Sequence, residues 1–242
     1  MNHRVMIALI VPCYNEEERI NLDAFVQGDS MGIEFYFVDD GSKDRTAAII
    51  EEASKKYPFI HLIKLAQNCG KAEAVRQGMI EVQKKVSFDD DSWIGFWDAD
   101  LATPLSEVPK MIQYANHYRH VDSVWCSRVY RLGADVRRSP LRHYLGRGFA
   151  TLVGELLHVK SYDTQCGAKL FKPSTIQTAF SEKFIGKWVF DVEILLRLKN
   201  FTVIEYPVTE WRDVPGSKVK ISREIFRVLW EILKIRKKYI KN

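Results

Sequence analysis

Three short apolar runs early in the chain each break off into a polar or acidic turn, and this pattern limits the fold more than any other feature. Residues 5–11 lead into Tyr14-Asn15-Glu16, residues 34–38 into Asp39-Asp40-Gly41-Ser42, and residues 93–97 into Asp98-Ala99-Asp100. The runs are rich in β-branched and aromatic side chains. Helical periodicity fills the intervals at 44–57, 71–85 and 104–118, and further strands are predicted at 60–65 and 123–127. Strands that alternate with helices pack as an α/β sheet with crossover connections. In an open sheet of that kind ligands bind beyond the carboxyl ends of the strands, so the three turns are expected to meet on one edge.

The second half is less regular, with an arginine-rich stretch at 128–147, a turn at 163–167 and a helix at 190–200. After Pro215-Gly216-Ser217 a last helical segment spans 221–239. Its apolar residues Ile221, Ile225, Val228, Leu229, Ile232, Leu233, Ile235 and Tyr239 share one side of a helical wheel, and Arg223, Arg227, Glu231, Lys234 and Lys238 share the other. With 242 residues, 46% of them apolar, the chain is long enough for one large domain. The predicted division is a catalytic domain over 1–217 and a basic amphipathic helix over 218–242.

The net charge of +5 belongs to the tail. Residues 218–242 hold nine Lys or Arg against Glu224 and Glu231, and in the remainder 27 basic residues face 29 acidic ones. A body of that balance, lacking an aromatic and basic sheet face, does not read as a nucleic-acid binder. Cys13, Cys69, Cys126 and Cys166 show no C-x-x-C spacing, which fits a reducing, cytosolic compartment rather than a zinc cage or disulfide framework. No cleavable leader is read at the N-terminus, and no uncharged apolar run approaches the roughly 18 residues of a membrane span. The tail can lie on an anionic membrane surface from the cytoplasmic side or pack on protein.

Asp98-x-Asp100 at a strand end offers two carboxylates to a hard divalent cation, whose remaining ligands would be water and diphosphate oxygens. The string also reads as a solvated acidic turn, and 39–44 as a turn with a helix cap. Arg128, Arg131, Arg137, Arg138, Arg142 and Arg147 supply more guanidinium groups than solubility needs, and guanidinium pairs bidentately with phosphate. No G-x-G-x-x-G follows the first strand, which excludes a dinucleotide-binding dehydrogenase.

Taken in order, Val11-Pro12-Cys13-Tyr14-Asn15-Glu16-Glu17, the 38–46 string VDDGSKDRT, Asn68-Cys69-Gly70-Lys71 and Asp98-Ala99-Asp100 resemble family 2 glycosyltransferases. The strings 98–104 (DADLATP), 163–171 (DTQCGAKLF) and 188–193 (WVFDVE), with Trp211 and Pro215-Gly216-Ser217-Lys218, look like the branch that glucosylates dolichyl or polyprenyl phosphate. The resemblance spans about residues 5–220 and implies a GT-A fold, a Rossmann-like, mostly parallel mixed sheet flanked by helices. It implies an inverting hexosyltransferase, with UDP-glucose as donor and a polyprenyl or dolichyl phosphate as acceptor. Pro12, Tyr14 and Glu16 would lie along the nucleoside with Asp39, and Asp40 would accept a hydrogen bond from the uracil. Lys71, Asp98 and Ala99 would contact the donor, and Asp98 and Asp100 would hold Mg²⁺ or Mn²⁺. Arg138, Arg142, Arg147 and Lys169 would meet the acceptor phosphate, and Asp163, Asp191 and Arg128 would serve the chemistry. The family usually has an aromatic residue where this chain has Ala168. Alternatives are another donor such as GDP-mannose, a sugar hydroxyl as acceptor, or a nucleotide-sugar binding protein without turnover.

Overall fold

The first strand, β1 (Ile7–Cys13), is buried at every position but Pro12, as a strand covered on both faces by helices must be. In the computed structural model residues 6–214 and 221–240 are described, with the backbone alone for 221–226. The predicted boundary at 217, the preceding Pro215-Gly216-Ser217 and the side chains of Ile221, Arg223 and Ile225 lie outside the described residues.

Along the chain β1 is followed by α1 (Leu22–Val26), β2 (Ile33–Asp39), α2 (Thr46–Lys56), β3 (Ile60–Lys64), α3 (Lys71–Lys85), β4 (Trp93–Trp97), α4 (Glu107–Ala115) and β5 (Ser123–Ser127). Then come β6 (Asp135–Arg137), α5 (Pro140–Leu157), β7 (Ala168–Phe171), α6 (Pro173–Phe180), α7 (Phe190–Arg197), β8 (Val203–Pro207), β9 (Glu210–Arg212) and α8 (Ile221–Tyr239). Seven strands form one sheet in the order β3-β2-β1-β4-β7-β5-β8, and β6 pairs with β9 beside it. Every neighbouring pair in the large sheet is parallel except those of β7, which runs antiparallel to both β4 and β5. The mixed, mostly parallel α/β sheet expected from the sequence is thus the architecture.

Successive residues of β1 divide between the two faces: Leu9 and Val11 enter one core cluster with Phe35, Phe37 and Trp97, while Ala8 and Ile10 enter the other with Val38, Phe96 and Trp125. Burying each such large side chain contributes about 1.5–3 kcal/mol, which fixes the register and with it the places where strands end.

The arginine-rich stretch is more ordered than its composition suggests. Its second half is the 18-residue helix α5, capped by Ser139, whose side chain accepts from the Arg142 amide, and opened by Pro140 in the first turn. A third cluster joins Val153 and Leu157 of α5, Val189 and Val192 near α7, and Ile232 and Ile235 of α8. The face that α8 buries differs from the wheel: Leu233 is 56% exposed, whereas Glu231, assigned to the polar side, is buried. Among the described residues no helix is long and apolar enough to cross a membrane.

Candidate active site

The first two strand ends are laced together by hydrogen bonds from backbone to side chain. The Asn15 amide donates to Ser42 Oγ at 3.0 Å, the Glu16 amide to Thr46 Oγ1 at 2.8 Å, and the Lys43 amide to Asn15 Oδ1 at 2.9 Å. Asp40 then fastens a third segment: its carboxylate accepts from the Cys69 and Gly70 amides at 2.7 and 2.8 Å and from Asn68 Nδ2 at 3.0 Å. Gly41 has φ 66°, and a Cβ there would stand 2.6 Å from the backbone of Gln67, so the close approach of these loops needs glycine. The anchored 68–70 loop delivers α3 with Lys71 in its first turn.

The fourth element is the acidic turn after β4. Trp97 Nε1 donates to the Thr103 carbonyl at 2.7 Å within the core, and the Arg212 amide donates to the Ala102 carbonyl at 2.9 Å, which pins the turn from two sides. Leu101 is held at φ 51°, a conformation costly to a branched residue, and the Ala102 amide donates to Asp100 Oδ1. Gly167, just before β7, accepts the Asp98 amide on its carbonyl at 3.0 Å. Any side chain at 167 would collide with the Asp98 carboxylate. Lys71 Nζ donates to Asp98 Oδ1 at 2.5 Å.

Between these elements lies a cleft of about 200 Å³, lined by Pro12, Cys13, Tyr14, Glu16, Arg19, Asp40, Lys71, Ala74, Asp98, Ala99 and Asp100. Burial and the neighbouring Asp98 both push the Asp100 carboxyl above its usual range. Burial works to lower the Lys71 ammonium, but Asp98, Asp191 and Asp100 outweigh it and hold the group raised. Two adjacent carboxylates that repel one another suit a divalent cation with oxygen ligands. Among the described residues no group of three or more His, Cys, Asp or Glu could hold a metal ion, so a cation at this turn would need further ligands from outside the protein, such as phosphate oxygens and water.

Lys71 and Asp98 also belong to a second, larger cleft of about 710 Å³. Its inner end is polar, with Arg128, Arg138, Arg142, Gln165 and Asp191; its outer walls are Tyr144, Leu145, Phe149 and Leu152 of α5, Trp188, and Val228 and Leu229 of α8. Arg142 pairs with Asp213 at 2.5 Å, and Arg128 lies over the Trp211 ring at 5.3 Å. Arg138 makes no ion pair or side-chain hydrogen bond among the described residues, and burial together with the adjacent Arg128 lowers its pKa. A half-buried guanidinium beside a second guanidinium, with Asp163 and Asp213 near but not in ion-pair contact, favours an incoming anion.

Residues 8–179 match the family described as glycosyl transferase family 2. The chain belongs to that family. Among its curated relatives, a dolichyl-phosphate beta-glucosyltransferase of Trichomonas vaginalis is 34% identical, over 90% of this chain and 67% of its own. The Saccharomyces cerevisiae protein of the same description is 31% identical over 99% and 76% of the two chains, and the Homo sapiens one 29% over 97% and 76%. The fold resembles glucosyl-3-phosphoglycerate synthase of Mycobacterium tuberculosis, crystallised with Mn²⁺ and UDP, with a TM-score of 0.64 at 16% identity over 97% of this chain and 80% of that one. A mannosyltransferase of Pyrobaculum calidifontis with GDP-Man and Mn²⁺ gives 0.65 at 16% identity, over 100% of this chain and 66% of the other. The GT-A fold implied by the motifs is therefore the fold of this family 2 glycosyltransferase.

Of the donor residues read from the sequence, Pro12, Tyr14, Glu16, Asp40, Lys71, Asp98 and Ala99 line the first cleft together with the metal candidate Asp100; Asp39 lies buried behind it. Arg128, Arg138, Arg142 and Asp191 line the second cleft. Three assignments do not fit the structure. Asp163 lies beneath Arg128, receiving its Nε at 2.6 Å and Nη2 at 2.7 Å, and the guanidinium overrides burial to hold the carboxyl at about 2, far too acidic for a general base. Lys169 is fully buried, donates to Asp191 Oδ1 at 2.5 Å and to the Cys166 carbonyl at 2.6 Å, and so cannot meet an acceptor phosphate. Arg147 donates to the Tyr162 carbonyl and stacks on that ring at 3.9 Å, and it lines neither cleft although Gly146 and Gly148 line the second. Ala168 is buried in the core, so its departure from the family pattern changes packing rather than a cleft wall.

Sequence reading missed Arg19, which lines the first cleft and pairs with Glu16 three residues earlier, a spacing visible in the string. It also missed Glu205, whose carboxylate accepts the Tyr162 and Asp163 amides and Ser161 Oγ; no local signal marks it.

Proposed function

We propose that this glycosyltransferase moves glucose from UDP-glucose, with inversion, to the phosphate of a polyprenyl or dolichyl phosphate, with the help of Mg²⁺ or Mn²⁺. The observation that carries the reading is the two-part character of the second cleft. Arginines gather at the end shared with Lys71 and Asp98, and apolar side chains line the way out. A sugar hydroxyl acceptor would want hydrogen-bonding walls, whereas an anionic head on an apolar chain matches both ends. The descriptions of the curated relatives agree with it.

On this reading the nucleoside lies along Pro12, Tyr14 and Asp40, and Asp98 and Asp100 are the residues that would hold the cation. A bound divalent cation offsets charge on the departing nucleoside diphosphate. Arg128, Arg138 and Arg142 orient the acceptor phosphate, whose second pKa near ~6 leaves it dianionic at neutral pH. One of its oxygens bonds to the anomeric carbon from the face opposite the leaving group while the bond from that carbon to UDP breaks. No proton has to be removed from such a nucleophile, which explains how a site whose Asp163 is locked to Arg128 can work. The same reading puts the protein peripherally at the cytoplasmic face of a membrane; Trp230 and Leu233, each 56% exposed on α8 beside the exposed Lys234 and Lys237, support contact with anionic head groups.

The test is incubation with radiolabelled UDP-glucose, UDP-galactose and GDP-mannose, each with undecaprenyl or dolichyl phosphate and a divalent metal. Label from UDP-glucose is expected in an acid-labile lipid product. Transfer to a sugar hydroxyl with none to the lipid phosphate overturns the acceptor assignment, and label from GDP-mannose alone overturns the donor.

A further inference from the structure

Among the described residues of α8, Glu231 carries a buried carboxylate, at 3% exposure, and it does not line the clefts described above. Its Oε2 accepts the backbone N–H groups of Trp188 at 3.1 Å and Val189 at 3.3 Å. Val189 is the N-cap residue of α7, and that helix has no side-chain cap of its own. A carboxylate from a distant helix therefore holds the amide of the cap residue and the one before it, as the reaching-back acid of a capping box holds the cap amide, with its charge at the positive end of α7.

The rest of the same loop is held in the same manner. The Ile185 amide donates to Glu193 Oε2 at 2.7 Å, and Glu193 Oε1 accepts from Tyr239 Oη, at the far end of α8, at 2.8 Å. The loop at 185–189 thus hangs from two carboxylates, one on α8 and one braced by it. What it carries matters: Lys187, Trp188, Phe190 and Asp191 all line the second cleft, as do Val228 and Leu229 on the turn of α8 before Glu231. A Cβ at Gly186 would approach Glu231 Oε2 to 3.1 Å, so the carboxylate sits hard against the loop.

We propose that Glu231 is a positioning residue for the acceptor half of the site, and that α8 completes the acceptor cleft rather than merely following the catalytic domain. The identity of the acceptor rests on the function proposed above; the positioning does not. Steady-state kinetics on the full chain are measured with undecaprenyl phosphate varied at saturating UDP-glucose, and then the reverse. Glu231→Ala is expected to raise the acceptor KM about tenfold, the loss of charge-assisted bonds to two amides, with the donor KM within about twofold of wild type. Glu231→Gln keeps one accepting oxygen and is expected to fall between the two, which also serves if the alanine variant folds poorly. Tyr239→Phe removes the brace on Glu193 while Arg197 still holds that carboxylate, and is expected to raise the acceptor KM in the same direction but by less than Glu231→Ala, again with the donor KM within about twofold.

Amide hydrogen exchange over 185–191 reads the loop without any acceptor. Loss of protection confined to that segment in Glu231→Gln supports the proposal even if undecaprenyl phosphate proves not to be a substrate, a result that would count against the function and not against Glu231. Unchanged exchange, or donor and acceptor KM rising together, overturns it.

Discussion

Replacing Asp163 by Asn tests how far the arginine wall of the second cleft depends on one buried ion pair. The side chains of Arg128 and Asp163 are 12% and 8% exposed, so neither is screened by water. Three donors of Arg128, its amide, Nε and Nη2, converge on this one carboxylate. Folding takes the Asp163 carboxyl from its ordinary 3.8 to about 2, which corresponds to roughly 2.4 kcal/mol of stability at 1.36 kcal/mol per unit. Because the folded value is the lower one, that contribution is complete above pH ~4 and disappears as the pH falls towards 2. Asparagine removes the charge and leaves the guanidinium buried, at a cost of about 3–5 kcal/mol. Urea unfolding at pH 7 should show the midpoint falling by about 1 M or more, at a slope near ~3 kcal/mol per M. Repeating the pair at stepped pH, the gap between wild type and variant should hold from 7 to about 4 and then narrow by roughly 2.4 kcal/mol on the way to 2. A gap under about 1 kcal/mol at pH 7, or one that does not narrow in acid, would refute the assignment of Asp163 as the counter-ion that holds Arg128.

Other substitutions separate the two clefts. Gly167→Ala must displace the Asp98 carboxylate and should lower kcat/KM by at least about a hundredfold, while circular dichroism stays native; near-wild-type turnover would show that the turn can yield. Asp100→Ala, or removal of divalent metal with EDTA, should abolish transfer, and added Mn²⁺ should restore the wild type alone; activity in EDTA equal to that with metal would undo the cation site. Arg138→Ala should raise the KM for the lipid phosphate about tenfold or more, as loss of a charge-assisted contact implies, with UDP affinity by calorimetry unchanged. Equal KM values would remove Arg138 from the acceptor site.

The first cleft was legible because its groups are local. Tyr14, Asp40 and Asp98 each follow directly on a strand whose apolar run is plain, and sheet geometry carries them to one edge. The second cleft depends on pairings that no spacing records. Asp163 and Arg128 are adjacent in space because β5 ends where the 163–167 turn begins, and only the fold shows that the carboxylate is occupied. The family resemblance puts Lys169 at the acceptor phosphate, yet it points into the sheet between Phe96 and Trp125, with Asp191 as its counter-ion. The helix α5 was hidden by Gly146 and Gly148, each unfavourable by about 1 kcal/mol in a helix interior. The Ser139-Pro140 cap and first turn were nonetheless readable. Glu231 fell on the polar side of an idealised wheel, and tertiary contact with the 188–189 amides overrode that placement.

The reversed strand β7 has a consequence for biosynthesis. Strand β4, with Trp93, Phe96 and Trp97 fully or almost fully buried in the finished sheet, can pair with β1 at once, but its other edge has no partner until Phe171 has been made, about 70 residues later. At roughly 5–20 residues per second that edge waits about 4–14 s on the ribosome as an unpaired apolar strand, the kind of surface on which nascent chains associate. Slower translation between codons 98 and 167 should therefore lower the soluble yield of this protein more than slowing elsewhere.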